Sequence, residues 1–372
     1  MRAIRTSYVV TVLAALAACS GGESGTKCQT NDNCAKGQLC AAGRCVRGGL
    51  SKRITTDQHP KPDGLAIAPD GKTVAVSSGE RIGLWDLDSG QQANRIVLGR
   101  IQDKTYSASY VCYIPQRDTL AAWVTEVDDS ISPPSTTQLI YLWSANGATK
   151  TAELPVGFDD HGSLICSAEY LAVISMTYDE APHDTEVVLW HADSLTEAAR
   201  TTIEDRYCES LCLSSDGAML AAGCDRAVIA WDIGSQSDLT ERWRWVRLLD
   251  HSSAAVSFSP DGRRVAAAES HLVTLLDSAD GADVFAAEKP ASNDDAHRAA
   301  FSPDSSVFAV ICSEQGDKNT AICIYSTATG NAVTTLSGHR DSVDAIGYLP
   351  SEKTLVAATS EPSLVIWDLS GL

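Results

Sequence analysis

The stretch LPSEKTLVAATSEPSLVIWD, residues 349–368, runs in a fixed order: a turn, an apolar small-residue segment, a polar break, and an apolar segment ending in Trp-Asp. LSSDGAMLAAGCDRAVIAWD at 213–232 repeats that order. Apolar runs of roughly four to eight residues between turn residues read as strands buried on both faces. The turn recurs as Ala68-Pro69-Asp70-Gly71, Ser214-Ser215-Asp216-Gly217, Ser259-Pro260-Asp261-Gly262 and Ser302-Pro303-Asp304-Ser305, with weaker forms at 114–117 and 349–352. Pro suits the first central position of a type I turn, and Gly takes the left-handed position after it. The strand-ending mark recurs as Trp85-Asp86, Trp143-Ser144, Trp190-His191, Trp231-Asp232, Leu276-Asp277, Tyr325-Ser326 and Trp367-Asp368. The intervals are 58, 47, 41, 45, 49 and 42 residues, near the roughly 40–45 of one four-stranded propeller blade. Seven marks predict seven blades in an all-β ring over residues 50–372.

The repetition resembles the WD40 family of β-propellers across nearly all of that span. In the family a His, a Ser or Thr, and the Trp form a hydrogen-bonded brace within a blade. The resemblance places His339, Thr359 and Trp367 at these positions, with Glu361 or Ser360 where the family's turn Asp stands. WD40 rings close by an N-terminal strand that completes the last blade. Ser51-Lys52-Arg53-Ile54-Thr55-Thr56 is the candidate, since the third strand of the last repeat ends four residues before Leu372. Closure this way removes an open sheet edge.

Ahead of the ring, MRAIRTSYVVTVLAALAACS opens with Arg2 and Arg5, then runs apolar from Tyr8 to Ala18. That run is too short to span roughly 30 Å of hydrocarbon; a basic start, short apolar stretch and small terminal residues describe a secretory signal. Leu16-Ala17-Ala18-Cys19 resembles a bacterial lipobox. The resemblance implies a signal peptide over 1–18, a diacylglycerol anchor on Cys19, and, because Ser20 follows, an outer-membrane location in the cell envelope. Residues 19–27 form the lipidated cysteine and a small polar tether.

Cys28, Cys34, Cys40 and Cys45 then fall within 18 residues, a Cys-rich module over 28–46. An even set this dense behind an export signal reads as two disulfides of undetermined connectivity. A tetrahedral zinc site is the rival, although it usually shows closer Cys pairs. The module resembles short Cys-rich segments behind the anchors of other bacterial surface lipoproteins, which imply no activity. Seven cysteines lie in the ring. Cys112 and Cys212 share one repeat position, and Cys224 and Cys312 another, which suggests packing as small hydrophobes. Cys208 and Cys212 are too far apart along one strand to be bridged, whereas Cys312 and Cys323 could pair across a hairpin.

The chain carries 48 acidic against 29 basic residues, a formal charge of −19. That balance argues against nucleic acid as a partner and leaves membrane attachment to the lipid anchor. The sequence contains no phosphate-binding glycine loop, zincin helix motif or nucleophile elbow, so no catalytic residue, metal or cofactor is expected. A monomer that binds other proteins is expected instead. Two surface features are candidates. Three long loops carry Glu126, Asp128 and Asp129, then Asp179, Glu180, Asp184 and Glu186, then Glu314 and Asp317. In the WD40 plan such loops share one face, which is either a docking face for a basic partner or solvated decoration. The second feature is Arg242-Trp243-Arg244-Trp245-Val246-Arg247 on the outer strand of the fourth repeat. Its tryptophans are either buried between blades or exposed as an anchor for a partner or glycan. A ligand-binding or hydrolytic propeller is the alternative to a scaffold, and would need polar side chains converging at the channel mouth. A purely architectural envelope component is the third reading.

Overall fold

The computed structural model describes residues 26–29, 31–56, 61–156, 161–176, 184–235, 238–246, 254–288, 298–313, 320–336, 339 and 342–372. Seven antiparallel sheets of four or five strands form seven blades, in chain order from residue 64, each running from an innermost to an outer strand. Every mark lies on a third strand: Arg81–Asp86, Ser135–Ser144, Thr185–His191, Ala227–Ile233, Leu272–Asp277, Thr320–Ser326 and Ser363–Asp368. Gly49–Thr55 pairs with Ser363–Asp368 as the outer strand of the seventh blade, so the ring closes as expected.

The core is divided into seven clusters, one at each junction between neighbouring blades, including the junction of blade 7 with blade 1. Successive strand residues point to opposite faces of a sheet, and the third strands use this directly. Trp85, Trp143, Trp190, Trp231, Leu276, Tyr325 and Trp367 each pack against the preceding blade. The residue just before each mark, from Leu84 to Ile366, packs against the following one. A strand buried on both faces must be apolar throughout, which is why these runs lack polar alternation.

Opposite each mark the outer strand carries an extra residue. The pairing slips between Leu84 and Trp85, Leu142 and Trp143, Leu189 and Trp190, Ala230 and Trp231, Leu275 and Leu276, and Ile324 and Tyr325, and in blade 7 between Leu50 and Lys52. Such bulges raise local twist and bend the strand, so all seven blades twist at the same height.

The Cys-rich module is a small hairpin, Gln38–Ala41 paired with Arg44–Arg47, closed by Cys28–Cys40 and Cys34–Cys45. These bridges use all four cysteines of the module. The module sits on the wall of blades 6 and 7. Leu39 enters their shared core. The Ala42 N–H donates to the Val333 carbonyl at 3.3 Å, and the Asn31 side-chain amide to Thr335 at 3.1 Å. Both acceptors lie on the outer strand Ala332–Leu336, so the module covers part of a sheet edge. Gly48, at φ 141°, joins module to ring where a Cβ would lie 2.5 Å from the Asp368 carbonyl.

The ring cysteines correct the sequence expectation of small packed hydrophobes. Six of the seven are bonded: Cys112 to Cys166, Cys208 to Cys224, and Cys312 to Cys323. The first joins the innermost strands of blades 2 and 3. The second joins directly opposed residues of two adjacent strands in blade 4. Cys208 and Cys212 are indeed unbridged, and Cys212 is the buried free thiol.

Candidate interaction face

Blade 2 departs from its neighbours. Its three inner strands, Lys104–Ile114, Thr119–Asp128 and Ser135–Ser144, run 10 or 11 residues, and Gly99–Ile101 adds a fifth strand. Innermost strands elsewhere have three to six residues. The surplus forms an arm in which Val124–Asp128 pairs with Lys104–Ala108 on one side and Ser135–Leu139 on the other. The first acidic loop of the sequence is therefore the end of this arm, not a loose connection.

The arm holds its charges internally. The Lys104 ammonium bonds the Glu126 carboxylate and lies 3.9 Å from Asp128, while Arg100 reaches Asp129 at 3.4 Å. The hydrogen bond that Lys104 donates to Glu126 raises the Lys104 pKa despite opposing desolvation. Desolvation, with Glu126 adding to it, pushes the Tyr106 hydroxyl up to about 12. Beyond these pairs the arm exposes Ile101 and Ile131, 60% and 53% accessible. Exposed apolar side chains beside charged ones suit a protein contact better than isolated charge does. Neither isoleucine stands out in the sequence, because Ile101 precedes a polar turn, Ile131 follows one, and neither matches a repeat position.

Of the other loop acids, Asp184 accepts a backbone N–H from Asp205 at 3.0 Å, and Glu186 pairs with Arg200. Asp179, Glu180, Glu314 and Asp317 lie outside the described residues. The five described acids thus sit on blades 2 and 3, and four of them, Glu126, Asp128, Asp129 and Glu186, pair with cations from neighbouring strands.

The Arg-Trp stripe lies on Leu239–Val246, the outer strand of blade 4. Trp243 is buried in the junction with blade 5 and donates its indole N–H to Ser278 at 2.8 Å. Trp245 is half-buried and bonds Asp283 at 2.6 Å. Arg242 pairs with Asp232, and Arg244 with Glu241, both at 2.7 Å. Arg247 lies outside the described residues. Trp243 is therefore packing, whereas Trp245 keeps one face toward solvent.

In blade 7 the Thr359 hydroxyl donates to the Glu361 carbonyl at 2.6 Å and lies 2.8 Å from the Ser363 hydroxyl. His339 meets the edge of Trp367, ring centroids 6.3 Å apart. The channel contains a cavity of about 310 Å³ lined by innermost strands. Arg298 at its mouth donates to the Asp63 carbonyl at 3.2 Å and lies 5.3 Å from the Tyr110 ring centre. Nearby, Lys61 pairs with buried Asp344 at 2.9 Å. The inner strands are mainly Ala, Val, Leu and Ile in sequence; Lys61, Asp63, Arg298 and Asp344 just precede or begin innermost strands, where the repeat pattern says nothing.

Comparison with curated proteins gives no match. Among family models, the one described as WD domain, G-beta repeat matches residues 202–232 and 330–368. Each match runs from the outer strand of one blade through the third strand of the next. Two segments of the chain, ending in its fourth and seventh blades, are thus similar to WD40 repeats, within a seven-bladed ring built throughout on the same strand order.

Proposed function

We propose that this protein is a lipid-anchored component of the bacterial cell envelope, anchored through Cys19, whose WD40-type ring binds other proteins without catalysing a reaction. WD40 propellers commonly act as protein-interaction scaffolds, typically without catalysis. The observation that carries the reading is the blade 2 arm: a rigid extension that satisfies its own charges and presents Ile101 and Ile131 to solvent. Binding residues gather on extensions held by a rigid frame. Five disulfides support export, since such bonds persist in oxidising compartments. A reciprocal co-purification from envelope fractions tests it, comparing wild type with Ile101→Ser/Ile131→Ser. A partner that is retained equally by the variant overturns the arm assignment.

A channel ligand is the second reading, favoured by Arg298 and Tyr110 beside the 310 Å³ cavity. It predicts that Arg298→Ala abolishes small-molecule binding, while arm variants leave it intact.

A further inference from the structure

We infer that the Cys-rich module is a basic contact surface for anionic lipid headgroups, which sets the ring on the membrane by its blade 6 and 7 wall. This rests on the Cys19 anchor. Residues 26–47 hold Lys27, Lys36, Arg44 and Arg47 against Asp32 alone, in a chain with 48 acidic and 29 basic residues. All four cations are exposed. None makes an ion pair with a described residue, whereas eleven other basic side chains pair with carboxylates. Among the described residues, nothing thus neutralises the positive charge here. Lys27 and Arg44 are bridged through their backbones, so their side chains start from adjacent positions.

Position supplies the second argument. Seven residues separate Cys19 from Lys27, a reach of about 25 Å at full extension. The module is the folded part tied nearest to the acyl chains. It is also fixed to the ring, through Leu39 in the shared core and the bonds to Val333 and Thr335. Cations held at an anionic surface gain attraction that decays within a Debye length of about 8 Å. The acidic body of the ring is repelled by the same surface. Both forces turn the module toward the bilayer, leaving the blade 2 arm, on the far side of the ring from blades 6 and 7, pointing away from it.

The test uses the chain from residue 19 with Cys19→Ser, so that no acyl group contributes. Co-sedimentation is measured with vesicles of phosphatidylcholine alone and with added phosphatidylglycerol. Binding should require phosphatidylglycerol and weaken with salt. Each basic residue should contribute about fivefold, so replacing Lys27, Lys36, Arg44 and Arg47 by Gln should remove it. Unreactive module thiols in that variant show that the hairpin remains closed. Equal binding to both vesicles, or full binding by the closed quadruple variant, overturns the inference. Cell fractionation of Cys19→Ser in the full chain tests the anchor separately, so the two readings fail by different measurements.

Discussion

Leu50 stands directly opposite Trp367 across the seam of the ring, and Ile54, on the same strand, is buried in the core that blade 7 shares with blade 1. The first ring strand in sequence thereby completes the last blade in space. A propeller closed this way has no free sheet edge between its ends, and its seam should be as tight as any other junction.

That gives a measurable cost. Ile54, only 3% accessible, should lose about 2–4 kcal/mol on substitution by Ala. Thr55, exposed on the same strand, should change stability by less than about 0.5 kcal/mol. Urea unfolding followed by tryptophan fluorescence compares them, and equal midpoints would place the seam elsewhere.

The disulfides make a counting prediction. In the Cys19→Ser protein, denatured without reductant, one thiol should react, that of Cys212. In the native state none should, because burial raises the Cys212 pKa and blocks access. Removing the Cys112–Cys166 bridge should cost about 4 kcal/mol from the loop it closes, on the chain-entropy account. Thiol titration and unfolding of Cys112→Ser/Cys166→Ser check both numbers.

The two tryptophans of blade 4 should separate cleanly. Trp243→Ala empties a buried junction and should cost about 3–5 kcal/mol. The packing is close: a Cβ on Gly281, at φ 73°, would lie 2.7 Å from the Trp243 ring. Trp245→Ala, at a half-buried site, should cost clearly less. Similar losses at both positions would contradict the packing described.

Acid should weaken the inter-strand turns. Asp216 is held below the usual carboxylate range chiefly by the Ser214 hydroxyl. Desolvation pushes Asp261 and Asp304 upward, but Ser259 together with Arg263 and Arg264 outweighs it at the first, and Lys353 together with Ser302 and Ser306 at the second. A lowered folded pKa means that the unfolded chain takes up protons first. The contribution is therefore present above about pH 4 and lost as pH falls through the folded values. Asp304→Asn should flatten the stability profile below about pH 4 while lowering stability at neutral pH.

The blade count was legible because each third strand is buried on both faces and ends on a bulky side chain packed against the previous blade. The opposing bulges were not, since the extra residues Ala93, Thr151, Ala198, Arg242, Val284, Val333 and Ser51 share no chemistry. Cys112 meets Cys166 only because consecutive innermost strands line one channel, a proximity created by ring geometry and not by chain spacing. Cys208 and Cys224 oppose each other only through a register slip. In the candidate site, Glu126 and Asp129 could be read as acidic from sequence. Their neutralisation by Lys104 and Arg100 could not, because those cations come from other strands of the arm. The arm itself was hidden by polar residues at 126–138 that continue as paired strands where the repeat pattern suggested a loop.

In-cell photocrosslinking bears most directly on the interaction reading. A photoreactive residue replacing Ile131, at the end of the arm, should give a discrete protein adduct. The same group replacing Val284, exposed on the outer strand of blade 5, should give none. Adducts at Val284 with none at Ile131 would contradict the account.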